Sequence, residues 1–132
     1  MGKIIGFTAI AYTCALTIGS LVKPVKLIDT TISNIDKLLH LGAYFGLAVL
    51  WLCFIHSIKT GATQHWVAFK PKVYITMAIL LVLYGIIIEL LQGSATTYRT
   101  PDVWDVLANS IGVLLGSLTF LLFFKKFKEL KS

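Results

Sequence analysis

Apolar residues run almost unbroken through four stretches of the chain, Ile4–Val22, Leu38–His56, Val73–Leu91 and Val103–Phe124. The first three are 19 residues long and the last is 22. A helix of about 20 residues covers about 30 Å, the thickness of the hydrocarbon layer of a bilayer. Each stretch therefore predicts one membrane-crossing helix. Residues 1–132 read as a single all-α domain, an integral membrane four-helix bundle with short connections. The first stretch reads as a retained span. Only Met1-Gly2-Lys3 precedes it, and its apolar run exceeds the roughly 7–15 residues of a signal-peptide core.

Composition agrees with the pattern. Apolar residues make up 57% of the chain and charged residues 14%, with a mean hydropathy of +0.84. A soluble domain carries about a quarter charged residues, and a disordered chain has far fewer apolar ones. Both classes are excluded.

The net charge is +6, and its distribution orients the spans. Lys3, the second connection (Lys59, Lys70, Lys72) and the tail (Lys125, Lys126, Lys128, Lys131) share one side and hold 8 of the 12 basic residues. Lys23, Lys26, Lys37 and Arg99 lie on the other side. Cytoplasmic loops concentrate Lys and Arg, so both termini are expected in the cytoplasm. The lysine-rich tail reads as an anchor beside anionic lipid. No nucleic-acid partner is expected, because no binding module fits outside the spans. Cys14 and Cys53 fall at different depths and read as small apolar fillers, not as a disulfide.

The remaining polar residues are few, and their placement is informative. Asp36, Lys37 and His40 open the second span, Glu89 and Gln92 close the third, Arg99 lies in the third connection, and Asp102, Asp105 and Asn109 open the fourth. With alternating spans, all of them fall near the same membrane face, the outer one. Residues three or four apart share a helix face. Asp36 with His40, Glu89 with Gln92, and Asp102–Asp105–Asn109 therefore form inward stripes. Gly112 and Gly116 continue the last stripe more deeply, and Gly42-x-x-x-Gly46 offers a similar small face on the second helix. Small residues at that spacing let helices approach closely, so contact between the second and fourth helices is expected near Gly46 and Gly112. A cluster of this kind is either a functional site or a set of ion pairs that fixes the helix ends. Glu89 sits within the apolar span and Asn109 roughly 9 Å into the fourth, which favours a site. His56 and His65 lie at the opposite end and read as surface residues.

These residues carry a family resemblance. Asp36-Lys37-Leu-Leu-His40-Leu-Gly-Ala-Tyr44, Glu89-Leu-Leu-Gln92 and Arg99-Thr-Pro-Asp102-Val-Trp-Asp105-Val-Leu-Ala-Asn109-Ser-Ile-Gly112 together resemble the VanZ-like family. The motif extends from about Asp36 to Phe124 and leaves the first span outside. Gly93-Ser94 stands where the family often has an aromatic residue. The resemblance implies a small bacterial membrane protein, linked in one member to teicoplanin tolerance.

Two readings of the cluster follow. In the first, the protein acts on a lipid-linked envelope component. Glu89 or Asp105 would then be the base, His40 its proton partner, and Arg99 an anion clamp, with Asp36, Lys37, Gln92, Asp102 and Asn109 as binding residues. In the second, the cluster binds an amphiphile, such as a lipoglycopeptide or a cell-wall precursor, or docks a membrane partner without chemistry. No cofactor is identified, and a metal is not expected because one histidine is a sparse ligand set. Transport is disfavoured, since the charges stay at one face and do not line a path across.

Overall fold

The computed structural model describes residues 2–22, 35–62, 71–95 and 101–131. They form four helices: α1 (Gly2–Leu21), α2 (Ile35–Ala62), α3 (Pro71–Ala95) and α4 (Val103–Lys131). All four are long and apolar enough to cross a membrane, and no strand occurs among the described residues.

The helices start where local chemistry directs them. Pro71 is the first residue of α3, a position whose N–H has no intrahelical partner and whose fixed φ suits a helix start. Asp102 caps α4: its Oδ1 accepts the N–H of Trp104 at 2.9 Å, and its carbonyl accepts the N–H of Asp105 at 3.0 Å. Helix α2 begins at Ile35, three residues ahead of the apolar stretch, which places Asp36 in its positive first turn. Ser33 and Asn34, which by residue type could cap α2, and Trp66 and Phe69, which by residue type could sit at headgroup level, lie outside the described residues.

Large apolar side chains such as Phe7, Leu80, Leu114 and Phe123 are exposed all round the bundle. That is the surface of a protein solvated by lipid. Inside, Tyr44, Leu47, Ala48, Leu81 and Val113 form the core. Helix α2 is central and touches the other three. Its most extensive pairing is with α4, which enters from the same end.

The α2–α4 approach differs from the expected one. A Cβ at Gly112 would strike the carbonyl oxygen of Leu41, and one at Gly116 would come within 2.6 Å of the Phe45 carbonyl oxygen and 3.0 Å of Ala48 Cβ. The glycines of α4 thus pack on the backbone of Leu41–Phe45. Gly46 instead faces Tyr12 of α1, whose hydroxyl would lie 3.0 Å from an added Cβ, and Gly42 has open space. Spacing gives a glycine's face on its own helix but not the helix it meets.

Helix α1 lies against α2 and α3 and is fastened largely by hydrogen bonds. Tyr12 donates to the Ala43 carbonyl (3.0 Å), Trp51 Nε1 donates to Thr13 Oγ1 (3.1 Å), and the Thr17 and Tyr84 hydroxyls are 2.7 Å apart. Both cysteines are free. His56 is not a surface residue. Its ring is half-buried against Phe120 and Phe124, with centroids 6.2 and 4.1 Å away.

Candidate functional site at the polar end of the bundle

At one end of the bundle α2 begins, α3 ends and α4 begins. Four of the chain's six acids, Asp36, Glu89, Asp102 and Asp105, fall there, and among the described residues Lys37 is the one basic side chain beside them. Lys37 Nζ donates to Asp102 Oδ2 at 3.1 Å and lies 3.8 Å from Asp105 Oδ1. This lysine bridges α2 to the first turn of α4.

One turn deeper, His40 Nδ1 lies 3.1 Å from the side-chain oxygen of Asn109. Its Nε2 faces Asp36 Oδ1 at 3.9 Å and Asp105 Oδ2 at 3.8 Å. Asp36 and His40 are one turn apart on α2, and Asp105 and Asn109 one turn apart on α4, so the two stripes meet face to face. Asp105 and Asn109 are 5% and 2% exposed. No donor among the described residues reaches Asp105 Oδ1 within hydrogen-bond distance, and the amide nitrogen of Asn109 is similarly without an acceptor.

Glu89 is buried in α3, and its Oε1 accepts the backbone N–H of Asp102 at 2.8 Å. The carboxylate therefore satisfies a donor just ahead of α4. Its Oε2 has no hydrogen-bond partner among the described residues. Gln92, one turn on, donates from Nε2 to the Ser20 carbonyl of α1 at 2.9 Å, so it stands in the α1–α3 seam. Asp102 lies just ahead of the α4 span. The Trp104 N–H, and then the Lys37 ammonium, hold its carboxyl below the usual carboxylate range.

Of the residues anticipated from sequence, Asp36, Lys37, His40, Asp102, Asp105 and Asn109 meet at the α2–α4 seam, Glu89 joins them from α3, and Gln92 turns to α1. Arg99 lies outside the described residues. Two features were not anticipated. Tyr44, 1% exposed, lies one turn below His40, and its ring fills the space over Gly85. The four-residue step from His40 was the signal for it. The second is an apolar groove of about 510 Å³ between the outer faces of α2 and α4, lined by Leu38, Leu41, Trp104, Leu107 and Ile111, with Lys37 at its rim. Exposed apolar residues on a lipid-facing helix give no sequence signal for a groove.

The arrangement offers three things: fixed carboxylates in a water-poor setting, a bridging ammonium at the rim, and an apolar trough beside it. It has the chemistry to receive a charged head attached to a hydrocarbon chain. No curated protein and no solved structure matches the chain significantly. The sequence model of the VanZ/LLP1 family matches residues 3–124, so the matched region includes α1 as well as the three helices that carry the motif. With four helices able to cross a membrane and all but the last few residues matched, the chain is a multi-pass membrane protein that belongs to the VanZ/LLP1 family.

Proposed function

We propose that the protein recognises an envelope amphiphile, a lipid-linked cell-wall precursor or a lipoglycopeptide, at the outer face of the bacterial inner membrane. The observation that carries this reading is the contact between the apolar groove and the polar cluster through Lys37. An acyl or prenyl chain would lie along Leu38, Leu41, Leu107 and Ile111, while an anionic or hydrogen-bonding head meets Lys37 and the carboxylates behind it. Such a division of labour is usual for ligand sites, where apolar walls give affinity and a few polar groups fix orientation. Glycopeptide tolerance would follow from capture or masking of such a molecule.

The protein, purified in mild detergent from cells, should carry a defined amphiphile detectable by mass spectrometry of its lipid extract. Leu107→Trp, which fills the groove, and Lys37→Glu, which reverses the rim charge, should each remove it. In a susceptible host, expression should raise the teicoplanin concentration needed to stop growth, and Glu89→Gln and Asp105→Asn should abolish that rise. If the wild type and both groove variants carry the same lipids in the same amounts, the reading fails.

A second reading, a membrane scaffold whose cluster only ties helices together, is favoured by the Glu89–Asp102 and Lys37–Asp102 contacts, which join α2, α3 and α4. It predicts that the same substitutions lower stability without changing the bound lipid.

A further inference from the structure

His40 stands between two carboxylates that it does not hydrogen-bond. Its Nδ1 faces the side-chain oxygen of Asn109 at 3.1 Å. When Nδ1 donates to that oxygen, Nε2 is the ring position left for a ligand. It points at Asp36 Oδ1 and Asp105 Oδ2, 3.9 and 3.8 Å away. Nε2 and the two carboxylate oxygens face one gap, and the ring nitrogen is too far from either for a hydrogen bond.

The carboxylate of Asp105 sharpens the point. Its side chain is 7% exposed, and its Oδ1 has no hydrogen-bond partner among the described residues. Lys37 lies 3.8 Å from that oxygen and donates to Asp102, so Oδ2, the oxygen that faces His40, is left to the gap. A buried carboxylate left in this way is costly unless a cation completes it.

We propose that Asp36, His40 and Asp105 form a site for a first-row divalent transition-metal ion, with Asn109 orienting the imidazole. The three ligand atoms lie within 4.8 Å of one another. Ligands about 2.0–2.2 Å from a metal are themselves roughly 3–4 Å apart, so the site closes with side-chain shifts of about 1 Å or less. One imidazole with two carboxylates is a donor set that suits manganese, iron or zinc. A metal-binding histidine characteristically gives its other N–H to an oxygen, the part Asn109 plays. Asp36, with a side chain 49% exposed, provides the way in from the membrane surface. Three protein ligands leave coordination positions open at that surface. Sequence alone counts one histidine, whereas the fold sets beside it a carboxylate from the same helix and another from α4. The inference stands without the amphiphile reading, since the metal alone is the probe.

The test uses the full chain without a polyhistidine tag, in detergent, stripped with a chelator and titrated calorimetrically with Mn²⁺, Zn²⁺ and Mg²⁺. One equivalent of Mn²⁺ or Zn²⁺ should bind, and Mg²⁺ far more weakly. Asn109→Ala should weaken binding by about 10–100-fold, and Asp36→Ala and His40→Gln by more. His56→Ala, at the opposite end, should leave it unchanged. With Mn²⁺ bound, pulsed electron paramagnetic resonance should show coupling to one imidazole nitrogen. Asp36 is half-exposed on the first turn, so its variant keeps the test open if His40→Gln does not fold. Absence of stoichiometric binding overturns the proposal. So does affinity that is indifferent to Asp36→Ala, or equally sensitive to His56→Ala.

Discussion

The two ends of the bundle hold the same helices together by opposite means. At the polar end, α2 and α4 meet through Lys37, His40 and three aspartates, and Glu89 of α3 accepts the N–H that introduces α4. At the other end, α2, α3 and α4 meet through tilted and edge-on rings. Phe120 lies 4.3 Å from Phe124, 5.7 Å from Tyr74 and 6.2 Å from His56, centroid to centroid. Lipid is as apolar as a leucine core, so burying rings gains little beyond close packing. The aromatic end is thus the less demanding solution for helix association. The polar end carries ionisable side chains that packing alone does not need, and that excess is what supports reading it as the site.

The comparison can be broken most severely where both ends depend on one seam. Gly112→Leu would push a side chain into the backbone of Leu41 and Phe45, which cannot yield as a flexible side chain would. Overpacking of this kind costs about 1–3 kcal/mol or more, and here the upper part of that range is expected. Thermal unfolding in detergent should show a clear loss, while Gly42→Leu, in open space, should be silent. A Gly112→Leu protein as stable as its parent would mean that the seam is looser than described.

Next comes the aromatic end. Phe120→Ala leaves a cavity among Tyr74, His56 and Phe124. The loss should be below the roughly 3–5 kcal/mol seen in water-soluble cores, because detergent or lipid solvates the exposed ring in the unfolded reference. Ligand binding at the polar end should not change. A loss of binding equal to that of Glu89→Gln would erase the distinction between the ends.

Glu89 sharpens it from the other side. Glu89→Ala orphans the Asp102 N–H and should cost about 1–3 kcal/mol. Glu89→Gln keeps a carbonyl oxygen for that N–H, so stability should stay near wild type while function is lost. Stability and function falling together in Glu89→Gln would favour the scaffold reading.

The smallest effect belongs to Asp102→Asn. Asparagine still caps α4 but gives up the pair with Lys37. Because the folded protein holds the Asp102 carboxyl below its ordinary value, its contribution is present above the ordinary carboxylate range and disappears as pH falls through the depressed value. The difference in melting temperature between wild type and Asp102→Asn should therefore be greatest near neutrality and close in strong acid. Added salt should shrink it too.

The spans were legible because a bilayer demands a length, and length is a one-dimensional property. The polar stripes were legible for a similar reason: three- and four-residue steps on α2 and α4 fix which side chains share a face. Partners were harder to read. Nothing in the spacing of Gly42 and Gly46 tells that one meets Tyr12 and the other meets no neighbour, and nothing in Gln92 points to Ser20. His56 read as a surface group because its burial depends on two phenylalanines more than 60 residues away in sequence. The groove beside Lys37 depends on how the outer faces of α2 and α4 meet, which spacing along one helix does not give.

The sequence separation of the polar cluster also bears on how the protein is made. Lys37 and Asp102 are 65 residues apart. At about 5–20 residues per second of synthesis, the ribosome needs roughly 3–13 s to supply the second half of the cluster. For most of that interval Asp36 and His40 have been made while Asp102, Asp105 and Asn109 have not, and Glu89 precedes Asp102 by only 13 residues. A nascent chain stalled before α4 would hold those acids without the contacts that later settle them. Completion of the last helix is then the step at which the Lys37 and Glu89 contacts can form.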